Sequence, residues 1–312
     1  MRLTLPGKPI YDIIVIGAGP AGLTAGLYAA SLGAKTLILE GSIPSRLYLA
    51  KTIYNYPGFP NGISGKELLD LMKKQAMKKG AIIRRGDVVS LLLHAPIKTV
   101  ITRKETLTAR AVIIATGIQR RELRIPGEDK FLGSGVSYCA ICDGPLYRGK
   151  RVVVIGSGDE AIRDAKFLSE IAKDTFFIPL KALGKDELNN LREHNINVLL
   201  NYKVLEIVGK DKVEGVKVES PQGIEIVYVD GVFIITEEVP TTTILRKAGI
   251  EVDDKGFVKV NLNQETNIKG VYAAGDCTGI GMQVSTAVGQ GALAAINAIK
   301  YIRVHSKRSV IL

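Results

Sequence analysis

The sequence contains no tryptophan, and aromatic residues make up only 6% of its 312 positions. Stacking platforms for single-stranded nucleic acid are therefore not expected. Histidine is as scarce, with three residues, and His94 and His194 belong to no catalytic motif. Both read as surface or packing residues rather than catalysts. Cysteine also numbers three: Cys139, Cys142 and Cys277. An odd count, with no apolar signal core in MRLTLPGKPIYD, argues against a structural disulfide framework. No apolar run approaches the ~20 residues of a membrane helix, so the expected setting is cytoplasmic, away from a membrane. Acidic residues are the minority charge, 31 against 42 basic, for a net charge of +11. The basic residues are scattered, with short clusters at Lys73-Lys74, Lys78-Lys79 and Arg84-Arg85. This reads as a solvated basic surface, with an acidic protein partner as the alternative.

Glycine is abundant, at 33 residues, and the glycines expose an internal repeat. YDIIVIGAGPAGLTAGLYAASLG (Tyr11 to Gly33) resembles RVVVIGSGDEAIRDAKFLSEIA (Arg151 to Ala172). Each is a short apolar run, a glycine-rich turn and a helical pattern, the opening of a βαβ nucleotide-binding unit. Further buried strands are predicted at Ala111–Ala115, Gly231–Ile235 and Gly270–Ala274, and helical spacing resumes from Gln283 to about Tyr301. If that last helix belongs with the first unit, the second unit is an insertion.

In the first motif, Gly17-Ala18-Gly19-Pro20-Ala21-Gly22, each glycine has a task. Gly17 permits the tight turn, Gly19 lets backbone approach a pyrophosphate, and Gly22 lets helix and strand pack closely. The helix N-terminus offers free N–H groups to the phosphates. Glu40, ending the run TLILE, stands where an acid accepts from a ribose hydroxyl pair. Near the other end, Gly275-Asp276 follows an apolar strand and precedes a helix starting at Gln283-Val284. Asp276 can hold a sugar hydroxyl and the helix start can aim N–H groups at a ring carbonyl. The residues alone reach a second phosphate-sugar contact and no further.

Cys139-Ala140-Ile141-Cys142-Asp143-Gly144 is the other chemical site. A CxxC pair closes a small disulfide and exchanges it through a mixed disulfide, given a thiolate and a route for protons. Asp143 can supply that route. A metal site needs further ligands at matching spacing, which the chain lacks, and a pair of inert buried thiols is the remaining reading. Cys277, beside Asp276, reads as a small buried hydrophobe.

GAGPAG with Glu40, ATG at Ala115–Gly117, NYPGF at Asn55–Phe59, YCAICDG and AAGD with a following Gln283-Val284 together resemble the thioredoxin reductase family over nearly the whole chain. The resemblance implies bound FAD. It carries the cofactor role to Gly17, Ala18, Gly19, Pro20, Ala21, Gly22, Glu40, Gly41, Asn55, Val88, Thr116, Gly117, Gly275, Asp276, Gln283 and Val284. It also implies that Cys142 contacts the flavin, Cys139 attacks the protein substrate, and Asp143 is the acid–base catalyst.

Three departures stand out. Counting from Gly156 the interval that separates Gly17 from Glu40 gives Pro179, in FFIPLKAL, where the family carries a His-Arg-Arg run for the NADPH phosphate. Only Lys181 remains there, a point charge without arginine's fork. Thr236-Glu237-Glu238 adds two acids that would repel a phosphorylated ligand. Arg46 stands near the flavin loop in place of a family glycine-rich turn, and Met282 where an arginine often precedes the glutamine. Inward-facing, Arg46 would stabilise an anionic reduced flavin; solvent exposure is the other reading. A poor site for NADH or NADPH is left at Gly156, Gly158 and Lys181.

The expected fold is α/β, with two doubly wound, three-layer nucleotide-binding domains, the second inserted in the first. Residues 1–118 and 243–312 form the FAD domain, and 119–242 the NAD(P)H-like domain carrying the CxxC. The expected function is a flavin-dependent disulfide oxidoreductase. Electrons pass from reduced FAD through Cys139 and Cys142 to a thioredoxin- or glutaredoxin-like protein, with impaired or absent NADPH use. The family includes members fed by ferredoxin, and a basic surface suits such a donor. The resemblance also implies a homodimer, and because the CxxC pair must meet the flavin in one state and the partner in another, a rotation is expected about the two crossings near Gly117–Arg121 and Glu237–Thr243. The alternatives are an ordinary NAD(P)H-dependent reductase, a dithiol oxidase using oxygen, and a non-enzymatic flavin-binding redox sensor.

Overall fold

A computed structural model describes residues 11–120, 123–236, 238–240 and 243–308. The chain divides into two compact units. The first is built from the two ends of the chain together with Tyr56–Gln119, and the second is Arg120–Glu238, with the short stretch Thr52–Asn55 grouped with it.

In the first unit, YDIIVI forms β1 (Tyr11–Ile16), nearly all of it buried, as a strand covered on both faces must be. Then follow α1 (Pro20–Ser31), β2 (Thr36–Glu40), α2 (Gly65–Lys78) and β3 (Ile82–Arg85). Pro20 occupies the first turn of α1, where proline's fixed φ suits the helix. Ser64 caps α2, its hydroxyl accepting the Glu67 N–H at 3.1 Å. After β4 (Val88–Leu92), β5 (Lys98–Thr102) and β6 (Thr106–Ile114), the strand order is β3-β2-β1-β6-β5-β4. The first half of β6 pairs antiparallel with β5, and its second half runs parallel to β17 (Val271–Ala273). The distant end of the chain thus completes a seven-stranded sheet. On one face, α1 and α8 (Val284–Arg308) bury residues such as Val15, Ala25, Ile113 and Ala294. On the other, the β4–β5 ribbon and α7 (Thr243–Lys247) enclose Ile14, Leu93, Val112 and Leu245.

The chain leaves through β7 (Ile118–Arg120) and returns through β16 (Glu238–Pro240), which pair as a two-stranded ribbon. Between them the second unit runs α3 (Glu128–Phe131), β8 (Val136–Ser137), α4 (Ala140–Asp143), β9 (Arg151–Gly156), α5 (Gly158–Ser169), β10 (Asp174–Pro179), α6 (Lys185–Glu193) and β11 (Asn197–Val198). Then come β12 (Lys203–Gly209), β13 (Val213–Ser220), β14 (Gly223–Tyr228) and β15 (Gly231–Ile235). Five parallel strands lie in the order β11-β10-β9-β15-β8. Helical residues Ala161, Leu168 and Leu191 pack on one face against Val152 and Phe177. Val216 and Val218, from the antiparallel sheet β12-β13-β14, pack on the other against Val153 and Ile178. Both units are therefore three-layer α/β domains of one design, and the sequence repeat marks their equivalent βα openings. No helix among the described residues is long and apolar enough to cross a membrane.

Candidate active site

The turn after β1 in the first unit is built mostly of glycine and alanine. Gly17 has φ +113°, and a Cβ there would stand 2.1 Å from the Ala115 carbonyl oxygen, so no other residue fits. At Gly22 a Cβ would lie 1.9 Å from the Gly17 carbonyl oxygen, which is the close helix–strand contact expected of that glycine. Gly19 precedes α1 without any side-chain cap, and the first turn of α1 contains no acid. Its N–H groups and positive dipole end are left for an anion. Thr116 and Gly117 (φ +64°) follow β6 beside this turn.

Glu40 ends β2, where its carboxylate meets the Lys73 ammonium at 2.5 Å. That partner comes from α2 and was not legible in the sequence. Beyond Glu40 lies an open depression lined by Gly41, Ser42, Arg85, Asp87 and Arg103. Asp87 accepts the Ser42 N–H at 2.7 Å, and that hydrogen bond holds its carboxyl below the usual range. Val88, the first residue of β4, adjoins it.

Gly275 (φ +83°) and Asp276 follow β17. A second residue that sequence reasoning missed fixes this loop: Gln290 of α8, buried, accepts the Gly275 N–H at 2.6 Å. Arg46 faces Asp276, Nη1 to Oδ2 3.9 Å, so the two residues predicted near the flavin form one charge pair. The Gln283 N–H is already taken by the Thr286 hydroxyl at 3.1 Å. Val284 begins α8 itself. Asn55 is exposed and groups with the second unit rather than with the cofactor residues predicted beside it. Cys277 is fully buried with Sγ near the Ala274 and Ile114 carbonyls, and burial pushes its thiol up to about 12. It is a packing residue, as expected.

The second glycine turn is built differently. β9 continues through Gly156 and α5 begins at Gly158, leaving Ser157 alone between them. A Cβ on Gly156 would lie 2.4 Å from the Ile235 carbonyl oxygen and 2.7 Å from the Ala161 methyl, so packing alone demands this glycine. The first turn of α5 carries Asp159 and Glu160. These carboxylates complement the helix dipole internally and would oppose a pyrophosphate at the same place. Pro179 pairs with Gly156 in the ladder, and Lys181 follows on the surface. Glu237 lies outside the described residues.

Cys139 and Cys142 form a disulfide at one end of this second sheet. β8 delivers the chain to Cys139, and α4 turns it back so that the Cys142 N–H donates to Cys139 Sγ at 3.2 Å. Asp143 accepts from the Ser137 hydroxyl at 2.6 Å. Burial raises the Asp143 carboxyl above its ordinary value, and the Ser137 hydrogen bond opposes this. Tyr147, next along the chain, is pushed up to about 12 by burial and then by Asp143 and Asp230. Glu128, almost fully buried, accepts the Tyr138 hydroxyl at 2.8 Å and the Leu123 and Ile125 N–H groups, fixing the strand that precedes Cys139. Among the described residues no cluster of three or more His, Cys, Asp or Glu could hold a metal ion.

Two three-layer units of the nucleotide-binding type, one bearing a disulfide beside a buried acid, define a two-domain disulfide oxidoreductase. The pyridine nucleotide-disulphide oxidoreductase family matches residues 11–291. Thioredoxin reductase of Mycolicibacterium smegmatis is 39% identical over 304 residues, covering 95% of this chain and 97% of that protein. A thioredoxin reductase structure from Streptococcus pyogenes matches with TM-score 0.88 at 33% identity, over 94% of this chain and 98% of that one. A ferredoxin-flavin thioredoxin reductase from Clostridium acetobutylicum matches with TM-score 0.52 at 36% identity, over 94% and 98%. This chain belongs to the thioredoxin reductases within the pyridine nucleotide-disulphide oxidoreductases, a family of flavoprotein disulfide oxidoreductases.

Proposed function

We propose that this chain reduces the disulfide of a thioredoxin- or glutaredoxin-like protein through Cys139 and Cys142, holds FAD in its first unit, and draws electrons from a donor other than NADPH. The observation that carries the reading is the contrast between the two glycine turns. The first has an uncapped helix start free of acids and Glu40 at the strand end. That set suits a dinucleotide diphosphate and its ribose, and the FAD that the family implies fits it. Gly17, Gly19 and the start of α1 would hold the diphosphate, Glu40 a ribose, and Asp276 with Arg46 a further sugar or phosphate group. When bound, FAD supplies two electrons to the disulfide.

The second turn has two acids in the helix start, and proline where a ribose-reading acid or phosphate-reading arginine belongs. Losing charged phosphate contacts of ~1.5–3 kcal/mol each weakens a ligand by one to several orders of magnitude. The solved Clostridium acetobutylicum relative is a ferredoxin-flavin thioredoxin reductase. By that likeness, and by the net charge of +11, we assign an acidic ferredoxin-like donor here.

In the reaction, two electrons and two protons convert the Cys139–Cys142 disulfide to a dithiol. The Cys139 thiolate attacks one sulfur of the partner disulfide, whose S–S bond breaks as the mixed disulfide forms. The Cys142 thiolate then attacks Cys139, restoring the enzyme disulfide and releasing the second partner thiolate. The two departing thiolates take two protons, and Asp143, held close to the pair, passes them. The Cys142 N–H against Cys139 Sγ favours thiolate at Cys139. Ile141 and Leu146 are exposed at 60% and 51%, beside exposed Arg148 and Lys150, a surface suited to a protein substrate.

We extend the reading to a cytoplasmic homodimer, for which the exposed Tyr28 and Met77 on α1 and α2 provide apolar surface. The test is an anaerobic titration of the flavin-loaded protein with NADH, NADPH and reduced ferredoxin, followed by addition of a thioredoxin. Flavin reduction by ferredoxin with thiol formation on thioredoxin is expected. Full reduction by micromolar NADPH would return the chain to the ordinary NADPH-dependent class.

A further inference from the structure

Ser137 ends β8 at 4% exposure, with its hydroxyl surrounded by the redox turn. Its Oγ is 2.6 Å from Asp143 Oδ2, 3.0 Å from the Cys139 N–H nitrogen and 3.3 Å from the Cys139 carbonyl oxygen. A hydroxyl has one proton and two lone pairs. One lone pair is committed to the Cys139 N–H. The single proton has two acceptors to choose between, the Asp143 carboxylate and the Cys139 carbonyl.

We propose that Ser137 is the positioning residue of the redox centre, holding the Asp143 carboxyl in both of its protonation states by turning one hydroxyl proton. With Asp143 ionised, the serine proton points to Oδ2. With Asp143 protonated, the acid donates to the free lone pair of Oγ, and the serine proton turns to the Cys139 carbonyl. Neither state leaves a buried polar group unpaired, which would otherwise cost ~1–3 kcal/mol. Throughout, the Cys139 N–H bond keeps the nucleophile's backbone in register with the acid that serves it. The strand itself is also held by its pairing with β15 at Val136 and Ser137.

The groups facing Asp143 are few. Cys139 and Cys142, once reduced, come from its own turn, and Tyr147 from the next, with Asp230 behind it. From α5, the side chains closing on Gly144 are Phe167 and Leu168, both apolar. Ser137 is the hydrogen-bond donor assigned to Asp143, and its loss would raise that carboxyl further.

The inference rests on Asp143 being the acid–base group, and the test separates the two. Flavin-loaded protein is reduced with dithionite, freed of excess reductant, and mixed in single turnover with a thioredoxin disulfide across pH. Ser137→Ala should lower the maximal rate roughly tenfold or more, within the ~10²–10⁴ that a positioned acid–base group contributes. The half-saturating thioredoxin concentration should not change, because the buried hydroxyl touches no partner. The limb of the pH profile set by Asp143 should move up by about one unit, the scale of one charged hydrogen bond. Ser137→Thr should restore both rate and limb. Should the alanine variant fail to fold, the isosteric pair Ser137→Thr and Ser137→Val carries the comparison, the valine losing what the threonine keeps. Unchanged rate and limb in Ser137→Ala or Ser137→Val, with Asp143→Asn inactive, overturns the role of Ser137 and leaves that of Asp143. An active Asp143→Asn with an unaltered pH profile removes both.

Discussion

Pro179 lies directly beside Gly156 in the β9–β10 ladder, at the edge of the turn where a nicotinamide dinucleotide's adenosine ribose would be read. Neither its ring nor the Leu180 side chain offers a hydrogen-bond donor, and the nearest cation in sequence, Lys181, is on the surface. Asp159 and Glu160 add negative charge at the start of α5. NADPH should therefore reduce the flavin slowly or not at all at micromolar concentrations, with little preference over NADH. Changing Pro179→His, Leu180→Arg and Lys181→Arg together should improve NADPH use, and adding Asp159→Asn with Glu160→Gln should improve it further. Stopped-flow flavin reduction reads both effects. No response to the five changes would show that the cleft is closed for reasons other than charge.

The Lys73–Glu40 pair at 2.5 Å is a claim about cofactor affinity. Both side chains are a little under a third exposed, so the ion pair itself is worth no more than ~1 kcal/mol. Lys73→Gln should then weaken FAD binding to the apoprotein only about fivefold. Glu40→Ala removes a charged acceptor from the ribose and should cost about ten- to a hundredfold. Quenching of flavin fluorescence on titration gives both constants. Equal losses in the two variants would mean that Lys73 meets the cofactor directly.

Asp143 should serve catalysis at the expense of stability. Its carboxyl is raised above the ordinary 3.8 mainly by burial. The folded chain therefore binds this proton more tightly than the unfolded chain does. The stability this confers is fully present below pH 3.8 and is lost as pH rises through the elevated folded value. Asp143→Asn should raise the melting temperature at neutral pH relative to the parent, and the advantage should disappear on acidification towards pH 3.8. A melting temperature that falls equally at all pH values would show that Asp143 is an essential structural anchor instead.

Much of the site could be read in the sequence because steric demands are local. Gly17 and Gly22 are needed wherever a strand turns into a close-packed helix, and the run before them is apolar because both faces of β1 are covered. The repeat at Gly156 announced a second unit for the same reason. Packing against Ile235 and Ala161 is by itself enough to require glycine at 156. The acids at Asp159 and Glu160 stood in plain view, and only the early start of α5 at Gly158 places them in its first turn. Lys73, Gln290 and Ser137 were illegible for a different reason. Each acts through a tertiary hydrogen bond or ion pair whose partner is set by helix packing or by a turn, and no spacing in the sequence encodes such a pairing. Glu128 and Tyr138 belong with them.

The division of labour in the CxxC pair can be tested by trapping. Cys139→Ser and Cys142→Ser should each abolish multiple turnover while retaining bound flavin. They should differ in what they capture. Without Cys142 nothing resolves the mixed disulfide, so Cys142→Ser should accumulate a covalent complex with thioredoxin through Cys139. The reacting variant must be presented with a thioredoxin that carries an activated disulfide on its attacking cysteine and has serine in place of its second cysteine, which would otherwise reverse the exchange. Cys139→Ser should form far less of it, since Cys142 lacks the N–H contact that steadies a thiolate at Cys139. Cys277 will not confuse the result, being fully buried with a thiol pushed up to about 12. Non-reducing electrophoresis with mass spectrometry of the linked peptides identifies the bond. Capture through Cys142 in the Cys139→Ser variant, and none through Cys139, would reverse the assigned roles while leaving the disulfide itself as the redox centre.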